Sequence, residues 1–189
     1  MITVCAMWSD HSVYAGRNKS EPRLFPIRHR SVTDTAEQTD PVAQLPVYFF
    51  SSTSNLIRRF ASNLHATDGR PVRDLSERTV RSSEAPGPWI LLTPSYKAGN
   101  DAHATLPAAV RAFLRSPANR RRLVGIIGSG NRNFGDHYQA AARELARVSG
   151  RPVVFEFELA GTPEDVAECA RILTAFDARF GNAPEAHDR

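Results

Sequence analysis

Cysteine is scarce in this 189-residue chain, which holds only Cys5 and Cys169. Two distant thiols make neither a disulfide framework nor a metal-ligand spacing, and they suit a reducing cytoplasm. Long apolar runs are lacking too, so nothing approaches the length of a membrane span. The amino-terminal stretch has no basic start followed by an apolar block, which argues against a secretory signal. The six histidines fall at no ligand spacing. H-E-x-x-H, C-x-x-C and G-x-S-x-G do not occur, and no loop ends in the G-K-[ST] of a Walker motif. Asp136-His137 beside a serine-bearing loop is too slight for a catalytic triad, and a solvated helix start accounts for it. No general acid, base or nucleophile stands out. The net charge is only +4. Its basic residues are scattered and no stacking aromatics accompany them, which favours ordinary solubility over a nucleic-acid surface.

What is present is typical of a globular protein, with 41% hydrophobic and 23% charged residues. The length suits one domain with a tail. Residues 1–44 are rich in Ser, Thr, Arg and Asp, with Pro22, Pro26 and Pro41, and keep no period. They read as a disordered or loosely packed extension, or as the product of a start codon placed too far upstream. The patterned region is 45–180, and 181–189 form a polar tail.

Within that region Pro46 to Phe50 is a β-rich run. Leu56, Ile57, Phe60 and Leu64 follow at helical spacing. Pro71 to Leu75 reads as a short edge strand and 76–88 as a polar loop. Trp89 to Thr93 is a buried strand stopped by Pro94, and Leu106 to Leu114 a helix. Leu123 to Ile127 is a strand. Tyr138, Ala141, Ala142, Leu145 and Val148 make one helical face, with Gly150 past its end. Val153 to Leu159 is the last strand. Thr162, Pro163 and Asp165 open a final helix whose stripe is Val166, Cys169, Ala170, Leu173, Phe176 and Phe180. Such alternation predicts an α/β fold with a five-stranded parallel sheet of order 2-1-3-4-5 between helical layers.

In such sheets ligands sit at the carboxyl ends of the strands. Three polar loops fall there. Ser51-Ser52-Thr53-Ser54-Asn55 serves either as an anion cradle or as plain capping by Ser54 or Asn55. Thr93 to Asn100 holds Ser95, Tyr96 and Gly99, suited to a flat ring or to a surface turn. Gly128 to Gly135 holds Gly130, Asn131, Asn133, Phe134 and Gly135. It can lie close against a ring or simply turn the chain into a helix capped by Asn133 or Asp136. It is not a dinucleotide fingerprint, which needs glycine at Asn133. Phosphate at one end and a flat ring at the other match flavin mononucleotide (FMN). A small α/β enzyme acting on a phosphorylated nucleotide or sugar would use similar loops.

The chain from Val47 to about Phe176 resembles the NrdI family, the flavodoxin-like stimulatory proteins of class Ib ribonucleotide reductase. The resemblance rests on Gly125-Ile126-Ile127-Gly128-Ser129-Gly130-Asn131-Arg132-Asn133-Phe134-Gly135 and on Phe157-Glu158-Leu159-Ala160-Gly161-Thr162-Pro163-Glu164-Asp165-Val166. Val47-Tyr48-Phe49 with Ser51-Ser52, Arg59-Phe60, Thr93-Pro94-Ser95-Tyr96, Phe113-Leu114 and Asn119-Arg120 add to it. It implies a three-layer flavodoxin-like domain binding FMN. Reduced FMN in such proteins turns dioxygen into superoxide for the reductase small subunit. There the oxidant activates a dimanganese site and leads to a tyrosyl radical. A flavin reductase or small redox protein would be the electron donor.

By the same resemblance Ser51, Ser52, Ser54 and Asn55 hold the phosphate. Ser95, Tyr96, Gly99, Gly130, Asn131, Asn133, Phe134 and Gly135 line the ring. Leu159 to Thr162 close the far side or meet the partner. Leu56-Ile57 stands where the family has an Asn-Thr pair, which removes two polar phosphate contacts worth about 1 kcal/mol or more each. Lys97-Ala98 replaces part of the family's glycine-rich turn, restricting peptide reorganisation there.

Overall fold

The computed structural model describes residues 42–95 and 106–181. The extension up to 41, the loop bearing Tyr96, Lys97, Ala98 and Gly99, and the tail from 182 lie outside them.

Five parallel strands form one sheet in the order β2-β1-β3-β4-β5. They are β1 (Val47–Phe49), β2 (Val72–Asp74), β3 (Trp89–Pro94), β4 (Leu123–Gly130) and β5 (Val153–Glu158). Every residue of β3 and β4 is buried, as expected of central strands covered on both faces. The helices are α1 (Leu56–Asp68), α2 (Arg78–Arg81), α3 (Ala108–Phe113), α4 (Pro117–Arg122), α5 (Ala140–Ser149) and α6 (Pro163–Phe180).

Strand alternation divides the core. Val47, Phe49, Ile90 and Leu92 face α1 and α6, meeting Phe60, Leu64, Cys169 and Leu173. Tyr48, Trp89 and Leu91 face α3 and α5, meeting Val110, Phe113 and Leu145. In β4 the alternation slips. Trp89 pairs with Leu123 and Ile90 with Gly125, leaving Val124 as an extra residue. This bulge re-aims the strand, so Val124 and Ile127 share one face and Leu123 and Ile126 the other.

Asn119 holds the second core layer together. Its amide accepts from Ala85 N–H at 2.8 Å and donates to the carbonyls of Ser83 at 3.1 Å and Phe113 at 3.0 Å. Its own carbonyl accepts from the Trp89 indole at 2.9 Å. Trp89, Tyr48 and Phe113 pack as a ring trio with centroids 4.8–5.3 Å apart. A buried amide satisfied at both ends costs little and fixes the chain's path.

Several boundaries differ from the sequence expectations. The 76–88 segment contains α2, and α4 is a further helix beyond the sequence expectations; at four and six residues both are too short for a periodic signal. The helix expected from Leu106 to Leu114 is shortened to Ala108–Phe113, with Pro107 at its N-cap. β3 includes Pro94, paired with Ser129, instead of stopping before it. β4 runs to Gly130, because Gly128, Ser129 and Gly130 pair with Glu156, Phe157 and Glu158. Glycine is needed there: a Cβ on Gly130 would lie 2.9 Å from the Tyr138 ring. Tyr138 lies before α5, and Val148 is 62% exposed. The α6 start is as expected, with Thr162 and Asp165 forming a reciprocal capping box.

Candidate functional site

At the carboxyl end of β1 the chain turns through 51–55 into α1. Asn55 adopts a left-handed conformation, φ 56°, and its side chain does not cap the helix. Ser51 is the cap instead: its buried hydroxyl accepts from Arg58 N–H at 3.2 Å. Asn55 N–H is donated to Ser52 C=O at 3.0 Å. The N–H groups of Ser52, Thr53, Ser54, Leu56 and Ile57 make no hydrogen bond among the described residues. They collect at the positive end of a 13-residue helix, where anions are favoured. The Ser52 and Ser54 hydroxyls lie 2.9 Å apart. Behind them Arg58 donates to Asp74 at 2.6 Å and to Asn55 Oδ1 at 2.8 Å, which orients the Asn55 amide.

The ends of β3, β4 and β5 are tied together by serine hydroxyls. Ser95 Oγ accepts from Ala141 N–H at 3.1 Å, so a strand-end serine caps α5 across a gap of 46 residues. Ser129 Oγ donates to Leu159 C=O at 3.0 Å, and Leu159 N–H donates to Gly130 C=O at 2.9 Å. Asn131 Oδ1 accepts from Asn133 N–H at 2.9 Å and starts a 3-10 turn, Arg132–His137. Neither Asn133 nor Asp136 is the N-cap of that turn or of α5. Gln139, directly before α5, is fully buried at φ 59°. Its amide donates to Phe157 C=O at 2.8 Å, while its Oε1 has no partner among the described residues.

Between these ends lies a cleft of about 190 Å³, partly open to solvent. One wall is Ser52, Ser54, Leu56 and Ile57, the floor is Pro94, Ser95, Ser129 and Gly130, and the far wall is Asn131, Phe134 and Leu159. Phe134 is 36% exposed and Leu159 45%. Each non-glycine residue with positive φ among the described residues lies at this end of the sheet: Asn55, Gln139 and Leu159. Such conformations cost about 1–3 kcal/mol each and gather where a fold holds loops for a purpose.

Of the residues expected at a site, the cleft brings together Ser52, Ser54, Ser95, Gly130, Asn131 and Phe134. Ser51 sits behind the wall, and Asn55, Asn133 and Gly135 are outside the lining. Tyr96 and Gly99 lie outside the described residues. Pro94 and Ser129 were not singled out beforehand. The signal for Ser129 was its place in a strand flanked by glycines, not in a loop.

A monophosphate carrying a flat ring fits these residues. The N–H groups and hydroxyls offer donors at one end, and Phe134 with the side-chain-free Gly130 offers a planar surface at the other. Leu56 and Ile57 give the α1 side of the cleft an apolar wall, so most of the hydrogen-bond donors there belong to the backbone.

The family described as NrdI Flavodoxin like matches residues 47–171. Among curated relatives, "Protein NrdI" of Mesoplasma florum is 33% identical over 74% of this chain and 91% of its own length. The proteins of that name from Shigella dysenteriae and Bartonella tribocorum are 38% and 36% identical. They align over 68% and 72% of this chain, and over 90% and 98% of their own lengths. Among solved structures, flavodoxin 1 from Bacillus cereus is 20% identical over 71% of this chain and 97% of its own, with a TM-score of 0.45.

Proposed function

Because this chain belongs to the NrdI flavodoxin-like family, we propose that it is an FMN-binding redox protein supporting class Ib ribonucleotide reductase in the cytoplasm. The FMN-binding domain is 45–180, with 1–44 and 181–189 as an extension and a tail. Reduced FMN held there would supply the redox chemistry, the one-electron reduction of dioxygen to superoxide for the dimanganese-tyrosyl radical site of the reductase small subunit, with the electrons coming from the partner reductant. The chain's own residues bind and orient. The Ser52 and Ser54 hydroxyls, with the N–H groups of Ser52, Thr53, Ser54, Leu56 and Ile57, hold the phosphate. Phe134 covers the ring, the Asn131 amide nitrogen donates to a ring heteroatom, and Leu159 excludes water from one edge. Ser51 and Asn55 act behind the phosphate end. Asn133, Gly135, Tyr96 and Gly99 belong to the ring-side loops. The partners are the radical-bearing small subunit and a reductant such as a flavin reductase or a small redox protein.

One observation supports this most: undonated N–H groups at the start of α1 stand across a strand-end cleft from an exposed aromatic ring. A second reading has its own support. Leu56 and Ile57 line the wall where polar side chains would grip a phosphate, which favours a divergent relative that binds the reductase subunit with weak or no FMN. Purification and FMN titration, followed by visible absorbance, separate the two. A yellow protein that releases superoxide on aeration after dithionite reduction supports the first. A colourless protein that takes up no FMN but captures the small subunit supports the second. Failure of both FMN uptake and capture refutes both.

A further inference from the structure

About 23 Å of strand separates the cleft from the opposite end of β4. There, at Leu123, a second concavity of about 200 Å³ opens. Its floor is Leu114, Leu123, Leu145 and Val148, and its rim carries Arg120 and Arg151. Arg115, after Leu114, and Arg147, before Val148, are both exposed. Among the described residues no carboxylate lines the groove. Arg120 donates to the carbonyls of Leu114 and Arg115 at 2.7 and 2.9 Å, and Arg151 to the carbonyl of Arg121 at 3.3 Å. These bonds hold the guanidinium groups in place without neutralising them. None of Arg115, Arg120, Arg147 and Arg151 makes an ion pair among the described residues.

Cations near helix ends complement the helix dipole. That explains the arginines of α4 and α5, but not an apolar floor between them. Val148 sits at this floor 62% exposed, on a helix whose other apolar residues are mostly buried. An apolar floor edged by the two arginines Arg120 and Arg151 defines its complement: aliphatic side chains for the floor and carboxylates for the rim.

We propose that this groove docks an acidic amphipathic segment of a partner protein, with leucine-like side chains in the floor and Asp or Glu against Arg120 and Arg151. Nucleic acid fits less well. It offers no aliphatic groups to fill the floor, and no aromatic platform lines the groove for its bases. The surface is distant from the flavin cleft, and the inference does not depend on the flavin reading.

The test uses the full chain and a fluorescein-labelled synthetic helix of Glu and Leu, its leucines at i, i+3 and i+7, read by fluorescence anisotropy. Comparison probes are the same peptide with Leu replaced by Ser, the same with Glu replaced by Lys, and a thymidine oligonucleotide. We expect saturable binding of the Glu/Leu peptide alone. Val148→Glu should weaken it about tenfold and Arg151→Glu several-fold, with further loss in high salt. Circular dichroism melts verify that both variants fold; Val148→Ser replaces Val148→Glu if that one does not. Absence of saturable binding below about 1 mM, a weak contact by any measure, overturns the proposal. So does equal binding of the serine peptide or the oligonucleotide, or indifference to both substitutions.

Discussion

Asp177→Ala should destabilise this domain more than any single change at the strand-end cleft. Arg70, between α1 and β2, has a side chain with 0% exposure, and Asp177 on α6 has 7%. Arg70 Nη1 and Nη2 donate to the two Asp177 oxygens at 3.0 and 2.9 Å. Its Nε donates to Asp68 at 3.0 Å, and Nη1 also to Leu45 C=O at 3.0 Å. Asp177 accepts Leu45 N–H at 2.8 Å as well. Burial opposes the guanidinium charge, yet the hydrogen bonds and charges of Asp177 and Asp68 outweigh it and raise the pKa above the usual value. Truncating Asp177 leaves a buried cation with one carboxylate and an N–H without its acceptor. Removing one partner of a buried pair costs about 3–5 kcal/mol, against a total stability of roughly 5–15 kcal/mol. With a urea slope of about 2 kcal/mol per M, the midpoint should fall by about 2 M. Fluorescence of the buried Trp89 in a Trp8→Phe background follows the transition. Arg70→Met combined with Asp177→Leu should cost less than Asp177→Ala alone, because no buried cation remains. A loss below about 1 kcal/mol in the single variant, far under the buried-pair range, refutes the reasoning. So does a double variant less stable than the single.

Three further outcomes are expected. Ser54→Asp places a carboxylate among the N–H groups at the start of α1. It should weaken FMN about tenfold while leaving riboflavin nearly unchanged, by fluorescence titration; equal losses for both ligands would remove the phosphate from this end. Gly161→Ala forces a side chain onto a backbone at φ +66° and within 2.7 Å of the Phe60 ring, so thermal melts should show a loss of about 2–3 kcal/mol. An unshifted melting temperature would contradict that packing. Cys169 is fully buried, and desolvation pushes its thiol up to about 12. At pH 8 it should resist iodoacetamide until the protein unfolds, as read by peptide mass mapping, and prompt native labelling would contradict this.

Local chemistry explains what could be read from the chain. Thr162 and Asp165 lie three residues apart, so their capping box was visible as a pattern. Trp89 to Thr93 and Leu123 to Ile127 showed themselves as uninterrupted apolar runs, and alternation with helices gave the sheet order. The remainder depends on partners distant in sequence. Ser95 reads as a loop hydroxyl, yet it caps a helix through Ala141. Nothing local marks Arg70, whose partner Asp177 is 107 residues away. Glycines 128 and 130 suggest a loop, but they are strand residues whose missing side chains make room for Gln139 and Tyr138. At the site, the polar loops and Phe134 could be anticipated. That Ser51 serves α1 could not, since it follows from the left-handed turn at Asn55.

The two borders of the sheet differ from its interior. β2 spans three residues, and β5 alternates carboxylates at Glu156 and Glu158 with the aromatic Phe155 and Phe157. Arg143 and Arg132 reach across to these carboxylates at 3.1 and 3.4 Å. A foreign strand approaching either border would find too short a ladder on one side and a row of charge on the other. Glu158 serves twice, because it also accepts Arg132 N–H at 3.1 Å and so braces the turn beside the cleft.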